Sequence, residues 1–323
     1  MRHAERPGRS PDFIIVGAPR SGSTFLMRNL MCRPDVYMPP PEGEHSTGDI
    51  HFFDVGREEG RRRFQRGLSW YRSLFAEAAP HQACGEKTAD YLADEEACRR
   101  IHASCEGVKI VALLREPLQR ARSHFLHERH NLRGYPSLEA LFEHGSDIGD
   151  ARVLSSSFYA DSVHRYLERF GAERVLVVVF EDLVGAPERE LARVSAFLNL
   201  SPGFDYPLRD AVINRAVHGR WIGWTRRMAR TLAARSPAVH ARLASSAPGR
   251  LLKSRIARRR ATGSYAARTA ADVAPACPAE KEFVAAFRRR YRPDVVRLSA
   301  LLRRDMQRLW WERGTLEAER DTP

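Results

Sequence analysis

The chain has little from which to build a metal centre or a disulfide framework. Its five cysteines (Cys32, Cys84, Cys98, Cys105 and Cys277) are scattered, and no two form a CxxC pair. An odd, dispersed set of this kind points to a reducing compartment and away from a structural zinc site. No apolar run approaches the ~18 residues that a membrane span needs. The opening residues, MRHAERPGRSPDF, lack the apolar stretch of a secretory leader, so a cytoplasmic protein is expected. Lysine is scarce: Lys87, Lys109, Lys253 and Lys281 are the only four among 53 basic residues. Acid is missing altogether between Asp210 and Asp272, a stretch that holds 13 arginines and one lysine and so carries the whole excess of a +13 chain. Such a surface suits anionic ligands, an anionic membrane or nucleic acid.

What is present reads as a globular α/β chain. Hydrophobic residues make up 43% and charged residues 29%, the balance of a sequence that buries a core. Residues 13–17 (FIIVG), 108–114 (VKIVALL) and 175–180 (VLVVVF) are short continuous apolar runs, the signature of strands buried on both faces of a parallel sheet. Helical patterns follow each of them, over about 24–31, 117–130 and 187–198, and others fall near 58–75, 92–105 and 155–170. Strands alternating with helices predict a P-loop-like parallel sheet with helices on both faces. A last helical region is expected over 279–310, where Phe283, Phe287, Tyr291, Val295, Leu298, Leu302, Met306 and Leu309 recur at helical spacing, with Pro293 breaking or restarting it.

The loop after the first strand, Gly17-Ala-Pro-Arg-Ser-Gly22-Ser23-Thr24, has the spacing of a P-loop. Successive backbone N–H groups feeding a helix N-terminus bind phosphate oxygens, and glycine lets the backbone approach. Ser23, however, stands where a P-loop has the lysine that reaches the β- and γ-phosphates. A kinase or nucleotide hydrolase would lack its main γ-phosphate contact.

Further motifs follow in order. Arg115-Glu-Pro-Leu-Gln-Arg-Ala-Arg-Ser123 lies directly behind the second apolar run. His51-Phe-Phe-Asp54, the segment 67–74 (GLSWYRSL), Gly85-Glu-Lys-Thr-Ala-Asp-Tyr91 and Phe180-Glu-Asp-Leu183 surround it, and Tyr291-Arg-Pro-Asp294 and Leu309-Trp310 close the series. Taken together, these resemble the sulfotransferases that use 3′-phosphoadenosine 5′-phosphosulfate (PAPS), in particular the heparan-sulfate-type domains and their bacterial relatives. The resemblance covers about residues 12–207 and 280–310.

The resemblance implies transfer of a sulfuryl group from PAPS to a hydroxyl or amine of a carbohydrate, lipid or natural-product acceptor, leaving 3′,5′-ADP, with no metal. It implies that Ala18, Pro19, Arg20, Ser21, Gly22, Ser23, Thr24 and Phe25 bind the 5′ end of the donor and that Arg115 and Ser123 bind its 3′-phosphate. Arg20 stands where many relatives have a lysine, and it could stabilise charge on the leaving oxygen or bind only the nucleotide. In heparan-sulfate-type domains a Lys-Glu pair precedes the HFFD motif and the Glu is the base. Here those places hold Gly48 and Asp49, behind an insert containing Glu42, Glu44 and His45. Asp49 is the first candidate for the base, Glu44 or Glu42 the second, and His51 or His45 the third. For His51, a core histidine beside Phe52 and Phe53 is the favoured reading. Lys87, in the GEKT motif, is implied as an active-site or acceptor contact, with a surface pair to Glu86 as the plainer alternative.

The domain reading is a tail over 1–11, one catalytic domain over 12–312 with a basic insertion or lid at 211–271, and a tail over 313–323. Over 216–235, Val217, Trp221, Trp224, Met228 and Leu232 form a stripe with arginines mainly off it, so a packed lid and an interfacial helix on anionic lipid both fit. Two other classes stay open, a P-loop kinase or hydrolase and a basic binder of membrane or nucleic acid without catalysis. Nucleic acid is not an expected partner, because a binder has no need of Arg115 and Ser123 at that spacing behind an inner strand. Oligomeric state is left open by the sequence.

Overall fold

The computed structural model describes residues 8–40, 47–129, 131–132, 134–145, 148–210 and 278–312. Those up to Arg209 and those from 278 onward belong to one compact unit. Five strands, β1 (Phe13–Gly17), β2 (Val36–Tyr37), β3 (Ala83–Lys87), β4 (Lys109–Leu114) and β5 (Val175–Val179), form a parallel sheet in the order β2-β3-β1-β4-β5. The helices are α1 (Ser23–Leu30), α2 (Glu58–Phe64), α3 (Gly67–Ser73), α4 (Glu95–Ser104), α5 (Pro117–Glu128), α6 (Leu138–His144), α7 (Ile148–Ser155), α8 (Ala160–Phe170), α9 (Phe180–Gly185), α10 (Pro187–Phe197) and α11 (Pro278–Leu302), and a π turn at Arg308–Glu312 follows.

The alternation of side chains along the central strands builds two cores. Phe13 and Ile15 of β1 join Val111 and Leu113 of β4 and Val178 of β5 on one face, under Leu26, Met27 and Leu30 of α1 and Leu191 and Val194 of α10. Ile14 and Val16 face the other way with Ile110, Ala112 and Leu114, against Ile101 of α4, Val163 and Tyr166 of α8, and Val295 and Leu298 of α11. Both faces of β1 and β4 are therefore covered, which is why these two strands read as apolar runs. A third cluster joins α5, α6 and α11 through Leu118, Phe125, Leu141, Phe287 and Tyr291. No helix among the described residues is long and apolar enough to cross a membrane.

The sheet and its central elements agree with the sequence expectation, and the differences have local causes. The pattern near 58–75 divides into α2 and α3, and the one near 155–170 starts as the separate helix α8 at Ala160. Strands β2 and β3 were not expected, because one is two residues long and the other, ACGEK, ends on two charged residues. The C-terminal helix runs unbroken through Pro293 to Leu302. Proline forfeits one helical hydrogen bond, but Phe287 and Tyr291 before it and Val295 and Leu298 after it are all buried, so packing on both sides holds the helix together.

One cap ties this helix to the rest of the fold. Asp294 of α11, 3% exposed, accepts hydrogen bonds from the backbone N–H groups of Tyr159 (2.7 Å) and Ala160 (3.0 Å) at the start of α8. Loss of a capping side chain costs about 0.5–2 kcal/mol, and two buried donors are left unpaired here. Asp294→Ala is therefore expected to lower the thermal midpoint by several degrees, more than Asp294→Asn, which keeps one acceptor; calorimetry on both variants checks this.

Candidate functional site

The chemistry-bearing residues gather where β1, β3, β4 and β5 end. The first loop leaves β1 and is anchored at once, the N–H of Ala18 donating to Leu113 O at 2.6 Å. Ala18 is itself buried in the core, so it fixes the loop's position. Arg20 and Gly22 take left-handed backbone conformations, with φ of 68° and 92°. At Gly22 a Cβ would lie 2.9 Å from the Phe180 ring, so only glycine fits between the loop and α9. Helix α1 then starts with Gly22 at its N-cap and no side chain capping it. The Ser21 hydroxyl is fully buried with no hydrogen-bond partner. An uncapped helix start beside an orphaned buried hydroxyl is the arrangement that a bound phosphate satisfies. Ser23 and Thr24 are buried in the first turn of α1, where Thr24 does not cap the helix, and Phe25 packs against the core on the far side.

The second motif is brought to the same place. Arg115 leaves β4 and α5 begins two residues later; Ser123 lies two turns along that helix. The Arg20 Nε donates to Ser123 Oγ at 3.1 Å, and Arg115 Nη1 reaches Arg20 O at 3.4 Å. The Arg115 guanidinium sits 4.6 Å above the Phe180 ring. The two candidate phosphate elements, 95 and 103 residues apart in sequence, are thus one surface.

The acceptor-side candidates form a second, coupled group. Asp49 pairs with Lys87 as an isolated parallel bridge, and Lys87 Nζ lies 2.7 Å from Asp49 Oδ2. Thr47 Oγ1 also bonds Oδ2, while the N–H of Ala89 donates to Oδ1 at 2.8 Å. Burial opposes the charge, but the Lys87 ammonium and these hydrogen bonds outweigh it and hold Asp49 down to about 2. Lys87 is 1% exposed, so it is not a surface partner of Glu86. His51 is not a core residue either: Nδ1 lies 3.0 Å from Asp54 Oδ2, and its side chain keeps 12% exposure. Burial works against the imidazolium, yet the hydrogen bond to Asp54 and the charges of Asp54, Asp49 and Asp90 raise the His51 pKa above its ordinary value. A ring nitrogen of His51 and carboxylate oxygens of Asp54 and Asp90 lie within 4.8 Å of one another, but Arg57 (2.5 Å) and Arg152 (2.8 Å) both pair with Asp90, so its charge is already matched by cations. Glu42, Glu44 and His45 lie outside the described residues, as does the basic segment 211–271.

The chain is similar in sequence and in fold to known proteins. The Sulfotransferase family model matches residues 11–205. The chain belongs to the sulfotransferase family. It is 35% identical over 202 residues to the Homo sapiens heparan sulfate glucosamine 3-O-sulfotransferase 6, a match that covers 61% of this chain and 55% of that protein. With the Mus musculus heparan sulfate glucosamine 3-O-sulfotransferase 3B1 it shares 31% identity over 195 residues, covering 59% and 46%. The chain thus spans about half the length of the curated relatives it matches. The crystal structure of a sulfotransferase from Alicyclobacillus acidocaldarius has the same fold, with a TM-score of 0.60 and 24% identity, covering 94% of this chain and 99% of that one.

Several residues in and beneath the candidate site escaped the sequence reading. Arg120, fully buried in α5, donates from Nε to Ser157 Oγ at 2.6 Å and bonds Val153 O and His124 Nδ1, the last at 3.0 Å. A guanidinium can only donate, so Nδ1 accepts and the neutral His124 ring carries its proton on Nε2. Burial, then the charges of Arg120 and Arg20, holds the His124 pKa well below its ordinary value. The spacing of Arg120 and His124, one helical turn apart inside and just beyond the 115–123 motif, was the available signal. Asp90 lies within the quoted GEKTADY segment, but its partners Arg57 and Arg152 come from α7 and from the turn before α2, which no local pattern links.

Glu86 is the other buried group beneath the site. Tyr71 donates to it at 2.7 Å and Thr88 at 3.1 Å, and Thr88 Oγ1 in turn accepts from the N–H groups of Ile50 and His51. Burial raises the Glu86 carboxyl to about 7, against the two hydroxyl donors. Since the folded pKa exceeds the unfolded one of about 4.3, the folded state binds the extra proton. Its contribution to stability is complete below the unfolded pKa and is lost as pH rises through about 7. Glu86→Gln, which mimics the protonated form, is expected to flatten the fall in thermal midpoint between pH 5 and 8; melting curves across that window check it.

Proposed function

We propose that this sulfotransferase moves the sulfuryl group of PAPS to a sugar hydroxyl. The observation that carries the reading is the Arg20–Ser123 hydrogen bond at 3.1 Å, which joins the β1 loop to the helix behind Arg115 and so supports reading the two elements as one nucleotide site. Ser21, Ser23, Thr24 and the uncapped start of α1 would hold the 5′ end, and Arg115 with Ser123 the 3′-phosphate. PAPS, when bound, supplies the activated sulfuryl group. Its S–O bond to phosphate breaks as the acceptor oxygen bonds sulfur, and the acceptor proton leaves to a base. Arg20 would stabilise the charge that develops on the leaving phosphate, which would favour the transition state over the ground state. A sugar hydroxyl is the first acceptor class because the similar proteins are named as heparan sulfate glucosamine 3-O-sulfotransferases.

For the base, the geometry favours His51 over Asp49. Both Asp49 oxygens are occupied and its carboxyl is held at about 2. His51 has Asp54 on Nδ1 as an orienting partner, which leaves Nε2 for the acceptor. The Asp49–Lys87 pair then shapes the wall of the site.

Three measurements test this. By titration calorimetry, 3′,5′-ADP is expected to bind one to two decades more tightly than 5′-AMP, since a hydrogen bond to a charged group is worth roughly 1.5–3 kcal/mol, and Arg115→Ala is expected to narrow the gap. Equal affinities would remove the 3′-phosphate site. His51→Gln is expected to lower turnover roughly 10²–10⁴-fold and to flatten a rate that rises as pH passes the raised His51 pKa. Near-normal turnover in His51→Gln together with its loss in Asp49→Asn would return the base to Asp49. For the segment 211–271, whose sequence holds 13 arginines and no acidic residue, the expectation is salt-sensitive association with anionic membranes from the cytoplasmic side. Equal, negligible sedimentation with anionic and neutral vesicles at low salt would leave a packed lid.

A further inference from the structure

Two neighbouring tryptophans at the C-terminal π turn each hold a glutamate, the buried Glu116 at the start of α5 and the half-buried Glu181 in α9, both beside the proposed nucleotide site. Trp311 Nε1 donates to Glu116 Oε1 at 3.1 Å, and Trp310 Nε1 donates to Glu181 Oε2 at 3.0 Å. The other oxygen of each carboxylate is also used. Glu116 Oε2 accepts from the N–H of Gln119, capping α5, and Glu181 Oε1 accepts from the N–H of Glu116 itself at 3.0 Å. The result is a closed set of bonds between the end of β4, the end of β5 and the C-terminal turn. Asp182, next in chain to Glu181, is paired with Arg304 through both oxygens, which fixes the approach of the turn.

The placement of this set is what gives it a function. Glu116 follows Arg115 directly, and Tyr159 Oη donates to Arg115 O at 2.8 Å, so both sides of the Arg115 backbone are tied. Glu181 follows Phe180, whose ring carries the Arg115 guanidinium at 4.6 Å and also abuts Gly22 of the first loop. A shift of either glutamate therefore moves the guanidinium or the ring beneath it. Both carboxyls are raised by burial, with their N–H donors acting against that rise. Drawing two carboxylates away from water is unfavourable in itself, and their use as two-handed acceptors accounts for their presence beside Arg115. The Trp311 ring is in turn flanked by the guanidinium carbons of Arg288 and Arg292 of α11, at 6.0 and 5.9 Å.

We infer that Trp311 and Trp310 are positioning residues for Arg115, and that through Glu116, Glu181 and Phe180 they set the preference of the site for a nucleotide bearing a 3′-phosphate. The inference rests on the PAPS reading above. Its readout is the ratio of affinities for 3′,5′-ADP and 5′-AMP, which a general loss of stability leaves unchanged in the folded protein.

The test is calorimetric titration of both nucleotides into wild type, Trp311→Phe, Trp310→Phe and Trp70→Phe. Phenylalanine keeps an aromatic ring and removes the N–H. The Trp70 ring packs on Arg66 (4.2 Å) and Phe52 (5.8 Å), remote from the clamp, and serves as the control. Trp311→Phe is expected to reduce the ratio about tenfold, the size of effect expected when one buried hydrogen bond is lost. Trp310→Phe is expected to reduce it less, and Trp70→Phe not at all. A full wild-type ratio in folded Trp311→Phe overturns the inference while leaving the donor reading intact. If wild type itself shows no preference, the donor reading fails and the inference with it. Should Trp311→Phe not fold, Glu116→Gln, which can accept only one of the two N–H groups, is read by the same ratio.

Discussion

Because β1 and β4 lie side by side and run in the same direction, the loops leaving their carboxyl ends emerge within about 5 Å of each other. That pairing, extended past the strand by the bond from Ala18 N to Leu113 O, is what the site depends on. It sets the residues after Gly17 against Arg115 without help from any side chain, and β3 and β5 add Lys87 and Phe180 at the same edge. Ligand sites in open parallel sheets form at this edge because successive connections there diverge to opposite faces. In this chain α1 packs on one face with α10, and α4 and α8 on the other.

The cations of the site are held in three distinct ways. Arg20 rests on Ser123 and Arg115 on the Phe180 ring, and Arg115 also reaches the backbone of the Arg20 loop. Arg120 is buried without an ion pair among the described residues and spends its donors on Ser157, Val153 and His124. Burial, and after it the charge of Arg120, holds His124 in its neutral form. Lys87 is neutralised by Asp49, and Arg57 and Arg152 by Asp90. The cations beside Asp49 and Asp90 are thus matched by carboxylates.

Strands β1, β4 and β5 and the two candidate phosphate motifs were legible in the sequence because each is a local pattern: an apolar run, a Gly/Ser loop, an Arg followed eight residues later by a Ser. Strand β3 was hidden because its ACGEK carries a buried acid and a buried lysine, which become tolerable only through Tyr71, Thr88 and Asp49 from elsewhere in the chain. The same reason made His51 read as a core residue: Asp54 lies close in sequence, but the neighbouring Asp90 and the exposure of the ring belong to the tertiary fold. Pro293 misled for the opposite reason, since a strong local signal was outweighed by buried residues on both sides of it. Trp310 was visible as part of a closing motif, whereas its bond to Glu181 spans 129 residues and has no local trace.

The central claim is that one nucleotide spans both loops. The most direct measurement is a crystal structure with 3′,5′-ADP bound. The account predicts the 5′-phosphate against Ser21, Ser23, Thr24 and the start of α1, and the 3′-phosphate within hydrogen-bond distance of Arg115 and Ser123. A nucleotide held by the first loop alone, with Arg115 and Ser123 making no contact to it, would contradict the account.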